Sequence, residues 1–236
     1  MKIMGKTAII TGGTGELGRV VSAHLLKEGA NIAVPYVTDS ALRDLSPDLA
    51  DPKKCLFVKT DLTRPGDVDT FVRQTLEKYL SLDILVNAAG GYMGGSEIRE
   101  VSPEDMQKMM NLNLTTTFLM CRAALKVMQP RNSGRIITIA AMPALRPAAG
   151  RGPYAISKRA VITLTETIAE EVKGTGITAN AIAPSIILTE PNRRSMPGAD
   201  TGKWVTPEEI ASLILYLCSD EARSVSGNVI KIFGGV

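Results

Sequence analysis

Aromatic side chains make up only 4% of this 236-residue chain, histidine and tryptophan occur once each, and cysteine three times. A single histidine, His24, cannot build a multi-histidine metal site or a histidine-dependent triad, and it falls inside a helical pattern where a structural role is expected. Cys55, Cys121 and Cys218 are odd in number, widely separated and without a CxxC pair, which argues against a disulfide framework and a zinc site. No metal is expected, and a reducing cytoplasm is the expected compartment. No apolar run is long enough to span a bilayer, and the first strand pattern opens at Lys6, leaving no room for a signal segment. The net charge of +3 is spread along the chain, without the basic stripe of a nucleic-acid binder.

Hydrophobic residues at 44% and charged residues at 22% are ordinary globular values, and the length suits one large α/β domain over residues 1–236. That domain is organised around Lys6 to Glu28, where an apolar run meets a glycine-rich turn and then an amphipathic helical pattern. Gly12, Gly15 and Gly18 are spaced so that the backbone can turn sharply, approach a pyrophosphate and pack the helix on the strand. The helix N-terminus then offers its N–H groups to phosphate.

Further strands are expected at Asn31–Val37, Cys55–Lys59, Asp83–Asn87, Arg135–Ala140, Ile177–Ala183 and Asn228–Phe233. Helical spacing appears at Pro65–Tyr79, from Pro103 toward Met128, from Pro153 to about Lys173, and at Pro207–Cys218, where Thr206 and Glu209 give a capping signature. Alternating strands and helices predict an α/β, doubly wound parallel sheet of Rossmann type, with about seven strands and helices on both faces. Ligands in such sheets bind at the carboxyl ends of the strands. Near that edge, Tyr154 and Lys158 stand four apart and share a helix face. An ammonium ion beside a phenol stabilises the phenolate, which would lower the tyrosine pKa toward a working range for acid–base chemistry.

With TGGTGELG, Asp61-Leu62, the NAAG run at Asn87 to Gly90, LNL around Asn113, GRIITI, YAISK, AIAPS, TPEEIA and a terminal FGG, the chain resembles the short-chain dehydrogenase/reductase family over nearly its whole length. The resemblance implies an NAD(P)-dependent oxidoreductase with a small-molecule substrate and a homodimeric or homotetrameric assembly. Tyr154 would be the proton donor or acceptor, Lys158 would lower its pKa and bind the nicotinamide ribose, and Asn113 would hold a relay water. Gly12, Thr14, Gly15, Leu17 and Gly18 would cradle the cofactor, with Tyr36, Asp61, Leu62, Asn87, Ala88, Gly90, Pro184 and Thr189 along it. The alternatives are structural: Asp61 and Asn87 as turn residues, and Asn113 as a buried polar group of its helix.

Three departures from the family pattern stand out. Glu16 replaces a glycine of the commoner turn. Tyr36 and Val37 end the second strand where an acidic residue marks NAD enzymes and arginine many NADP enzymes, so NAD and NADP stay open. Ala141 occupies the place of the catalytic serine, whose loss costs about 2.7–4 kcal/mol of transition-state stabilisation at a carbonyl oxygen. Either the chain only binds a dinucleotide, or its substrate builds no oxyanion. The segments Ala88–Gly95 and Thr189–Glu209 resemble the dihydropteridine reductase branch, which also lacks the serine and reduces a quinonoid dihydropterin. Tyr92 stands where that branch has tryptophan, either stacking on the substrate or capping the cleft.

Overall fold

The computed structural model describes residues 3–43 and 45–236. Seven strands, β1 (Thr7–Thr11), β2 (Asn31–Tyr36), β3 (Cys55–Lys59), β4 (Ile84–Asn87), β5 (Gly134–Ile139), β6 (Ile177–Pro184) and β7 (Val229–Ile232), form one sheet in the order β3-β2-β1-β4-β5-β6-β7. Every pairing is parallel. The order reverses between β1 and β4, and that reversal opens the crevice at the carboxyl edge where a doubly wound sheet takes its ligand.

Side chains alternate across the sheet as the strand period requires. Ile10, Val34, Val86 and Ile137 enter one core layer, and Ile9, Ala33, Leu85 and Ile136 the other. Helices α1 (Glu16–Lys27) and α7 (Pro207–Cys218) cover the first layer; α2 (Pro65–Tyr79), α4 (Thr116–Arg131) and α5 (Gly152–Glu171) cover the second. Because the central strands are sandwiched, a side chain such as Leu85 is wholly buried, and truncation to alanine would cost about 2–5 kcal/mol.

The expected elements are present, with shifts at their ends. Pro65 and Pro207 open α2 and α7 as expected, and Thr206 and Glu209 close a complete capping box. The second strand stops one residue early, at Tyr36, because Val37 already stands exposed. The long helix expected from Pro103 is two pieces, α3 (Pro103–Met109) and α4, joined by a π-helical segment at Met110–Thr115. One short helix was not foreseen: α6 (Glu190–Ser195), whose cap is Thr189. The three cysteines are buried free thiols.

Candidate active site

The turn after β1 has the shape of a phosphate cradle. Gly12 adopts a φ of 68°, and a Cβ there would lie 2.8 Å from the Ala89 nitrogen and 2.9 Å from the Ala88 carbonyl oxygen. A Cβ on Gly18 would meet the Gly12 carbonyl, 2.6 Å from its carbon. Gly15 donates its N–H to the Gly12 oxygen at 2.9 Å and caps α1 with no side-chain bond to the helix. The first-turn N–H groups of α1 are therefore left for an anion. Glu16 is the exposed first residue of α1 and leaves the turn's hydrogen bonds in place. Thr14 and Leu17 are half-buried on the same turn.

Across the switch point, Ala89 donates its N–H to Thr11 Oγ1 at 3.0 Å, tying the loop after β4 to the glycine turn. Asn87, at the end of β4, donates to Cys121 Sγ at 3.3 Å, while its buried Oδ1 has no partner. An orphaned acceptor in this position, beside a cradle closed to any Cβ, fits a bound dinucleotide.

Lys158 and Tyr154 both rise from the first turns of α5. Lys158 is only 6% exposed, and its Nζ donates to the Ile139 carbonyl at 2.7 Å. Burial lowers its pKa to about 8. A Cβ on Gly90 would come within 3.1 Å of that Nζ, so Ala88 and Gly90 bring the β4 loop against the lysine. The Tyr154 hydroxyl does not behave as the four-residue spacing predicts. Burial pushes its pKa up to about 12, Tyr92 raises it further, and Arg151 lowers it. With the ammonium turned toward Ile139, desolvation of the phenolate governs this site.

Asn113 is fully buried inside the π-helical segment. Its Oδ1 accepts from the Gly91 N–H at 2.9 Å, and its Nδ2 donates to the Gly91 carbonyl at 3.1 Å and to Ser157 Oγ at 3.0 Å. Its carbonyl accepts from Thr117 Oγ1 at 2.7 Å. The side chain thus clamps the glycine loop onto α5, and the widened helical turn lets it reach that loop.

The other residues singled out from the sequence divide into two groups. Tyr36 and Pro184 end β2 and β6 at the carboxyl edge, and Ala141 follows β5 there, 4% exposed. Tyr92 is 60% exposed, with its ring centroid 5.0 Å from that of Tyr154. Asp61 and Leu62 lie beyond β3. Asp61 accepts from the Thr63 N–H at 2.9 Å and from Thr63 Oγ1 at 2.6 Å, bonds that hold its carboxyl below the usual range, while Leu62 packs into the second core layer. Thr189 accepts from the Asn192 N–H as the cap of α6.

Two contributors, Ser157 and Arg151, escaped the sequence reading. Ser157 is buried and ties Asn113 to the Tyr154 carbonyl; its place inside YAISK was the available signal. Thr11, the first residue of the TGGTGELG run, was already expected at the cleft and bridges the two loops of the switch point. Arg151, the residue before α5, acts on the Tyr154 hydroxyl, and nothing in its local pattern marks it.

Residues 6–199 match the sequence model of the short chain dehydrogenase family. The chain belongs to that family. It is an NAD(P)-dependent oxidoreductase of the short-chain type. Among curated relatives, it is 31% identical to a 3-oxoacyl-[acyl-carrier-protein] reductase of Synechocystis sp., covering 98% of this chain and 96% of the relative. It is 29% identical to a D-beta-hydroxybutyrate dehydrogenase of Rhizobium meliloti, over 98% of each chain. Among solved structures, levodione reductase superposes with a TM-score of 0.91 at 26% identity, covering 99% of this short-chain dehydrogenase and 98% of that one.

Proposed function

We propose that this protein reduces a small, flat, conjugated acceptor with NADH or NADPH, and that a quinonoid dihydropterin is the first substrate to test. The observation that carries the reading is Ala141. The cleft keeps the tyrosine and the lysine but has no hydroxyl at the position where a localised carbonyl oxyanion would need a donor. A conjugated acceptor spreads the incoming charge, so the missing donor costs it less than the missing serine costs a ketone. The resemblance of Ala88–Gly95 and Thr189–Glu209 to dihydropteridine reductases supports the same choice, as does Tyr92 beside Tyr154.

A bound reduced nicotinamide supplies the hydride. Gly12 and Gly18 let the turn pack closely on the β4 loop and on α1, the first turn of α1 would face the pyrophosphate charge, and Lys158 has hydrogens to spare for ribose hydroxyls beyond the one given to Ile139. Tyr154 holds its proton firmly, with a pKa raised to about 12, and so serves as the acid of the reductive direction. Asn113 keeps the Gly91 loop seated over α5. Two long helices carry exposed apolar residues, Phe118 on α4 and Ile156 on α5, and we assign that surface to a homodimer or homotetramer contact.

A second reading, a carbonyl reductase that tolerates Ala141, draws on the relative named as a 3-oxoacyl reductase. Initial rates of NADH and NADPH oxidation with freshly generated quinonoid dihydropterin, against a panel of ketones and quinones, separate the two. Turnover of the pterin above the ketones supports the first reading, and the reverse order supports the second. Cofactor binding without any turnover would leave neither.

A further inference from the structure

Tyr92 and Tyr154 are in ring contact, and Ala141, which lacks a hydroxyl, follows β5 at the carboxyl edge of the same sheet. We infer that Tyr92 is a second hydrogen-bond donor to the acceptor atom of the substrate, supplying from the β4 loop the hydroxyl that Ala141 lacks. The inference rests on the reductase reading of this site and holds for either class of acceptor; with Tyr92 as donor, the choice of a conjugated acceptor stands on the resemblance of Ala88–Gly95 and Thr189–Glu209 to dihydropteridine reductases.

The Tyr92 and Tyr154 rings meet edge to face, with centroids 5.0 Å apart and planes at 78°. The rings are therefore in contact, and in the proposed arrangement both hydroxyls meet one small acceptor. Among the described residues, the Tyr79 hydroxyl donates to the Ile32 carbonyl, whereas neither Tyr92 nor Tyr154 spends its hydroxyl on the protein. Tyr92 is also among the causes that raise the Tyr154 pKa, so a charge on one phenol is felt at the other.

The surrounding loop is built to admit the Tyr92 ring. A Cβ at Gly94 would collide with the Tyr92 hydroxyl and lie 2.8 Å from its Cζ and 2.9 Å from the Gly150 carbonyl oxygen. Gly95 donates its N–H to that same carbonyl at 2.7 Å, joining the loop that carries Tyr92 to the segment leading into α5 and Tyr154. Gly91, just before Tyr92, is fixed by the Asn113 side chain through both its N–H and its carbonyl. The ring is thus anchored from both sides.

The two hydroxyls divide the work. As hydride reaches the acceptor, the acceptor heteroatom takes a proton from Tyr154, while Tyr92 keeps its proton and lends only a hydrogen bond to the developing charge. A hydroxyl at position 141 would make the Tyr92 hydroxyl redundant.

The test measures kcat and KM of the wild type, Tyr92→Phe, Ala141→Ser and the double variant, with the cofactor and acceptor on which the wild type is most active. Phenylalanine keeps the ring and its packing, and NAD(P)H affinity and thermal midpoint check that each protein is folded. Tyr92→Phe is expected to lower kcat by about 10- to 10³-fold with little change in KM. In the Tyr92→Phe background, Ala141→Ser should restore kcat to within about threefold of wild type. Full kcat in Tyr92→Phe, or a double variant as slow as Tyr92→Phe, overturns the inference while leaving the reductase reading intact. Four folded, cofactor-binding proteins that are equally silent on every acceptor remove that reading and this role together.

Discussion

Gly18 allows a test in which two physical effects predict opposite signs. It lies in the first turn of α1, and helix propensity alone makes Gly→Ala stabilising by about 1 kcal/mol. The added Cβ would nevertheless meet the Gly12 carbonyl and lie 2.7 Å from Gly13 Cα. These are backbone atoms of the cradle with no rotamer to yield, and overpacking of this kind costs about 1–3 kcal/mol. The contact should therefore win, giving a net loss of up to about 2 kcal/mol and a midpoint lowered by up to about 8 °C for a chain of this size. Opening the turn also moves N–H groups away from the pyrophosphate, so NAD(P)H affinity should fall by at least about tenfold, or ~1.4 kcal/mol. Gly66, in the first turn of α2, has nothing within 4 Å of its hypothetical Cβ, so Gly66→Ala should gain up to about 1 kcal/mol and leave cofactor binding unchanged. Thermal melts and calorimetric titration of both variants decide the matter. A Gly18→Ala protein as stable as the wild type, with the same cofactor affinity, would refute the cradle.

Lys158 gives a stability prediction with a defined sign. Its folded pKa is lowered from 10.5 to about 8, so the folded state releases this proton first, and the lysine's contribution rises as pH climbs from about 8 to 10.5 and is lost as pH falls through 8. Relative to Lys158→Met, the wild type should gain about 3 kcal/mol across that window; parallel denaturant curves for the two proteins would contradict this. NAD(P)H should bind with micromolar-scale affinity, read by calorimetry or by quenching of Trp204, and no binding of either cofactor at high concentration would remove every enzymatic reading. Phe118 and Ile156 are 46% and 47% exposed, so light scattering at micromolar concentration should show a dimer or tetramer that Phe118→Asp dissociates, and a monomeric wild type would count against that surface.

Much of this layout could be read from local pattern. Pro65, Val68, Phe71 and Val72 carry both the opening and the apolar face of α2, and its bounds were legible residue by residue. The alternation of strands and helices was enough for the parallel sheet, because a crossover between parallel strands has few alternatives. The π-helical break around Asn113 was not legible. It coincides with a pair of bonds between the Asn113 side chain and Gly91 on the β4 loop, and nothing in MNLNLT distinguishes it from an ordinary helical turn. The same holds for the Tyr154 pKa, where spacing places Lys158 on the correct face but cannot reveal that its Nζ turns to the Ile139 carbonyl. Thr189 did carry a readable signal, since a threonine followed by Glu190 and Pro191 marks a helix start; α6 went unread because it is so short. Glu16, the departure from the family turn, is exposed on α1, a fact that only its burial discloses.

In the proposed reaction, Tyr154 supplies the proton as a flat acceptor receives hydride from NADH or NADPH. Its most direct test is the rate of NAD(P)H oxidation with quinonoid dihydropterin for the wild type and Tyr154→Phe, at equal cofactor saturation. The account predicts turnover in the wild type and a loss of about 10²–10⁴-fold in the variant with cofactor affinity retained. Undiminished turnover in Tyr154→Phe would contradict it.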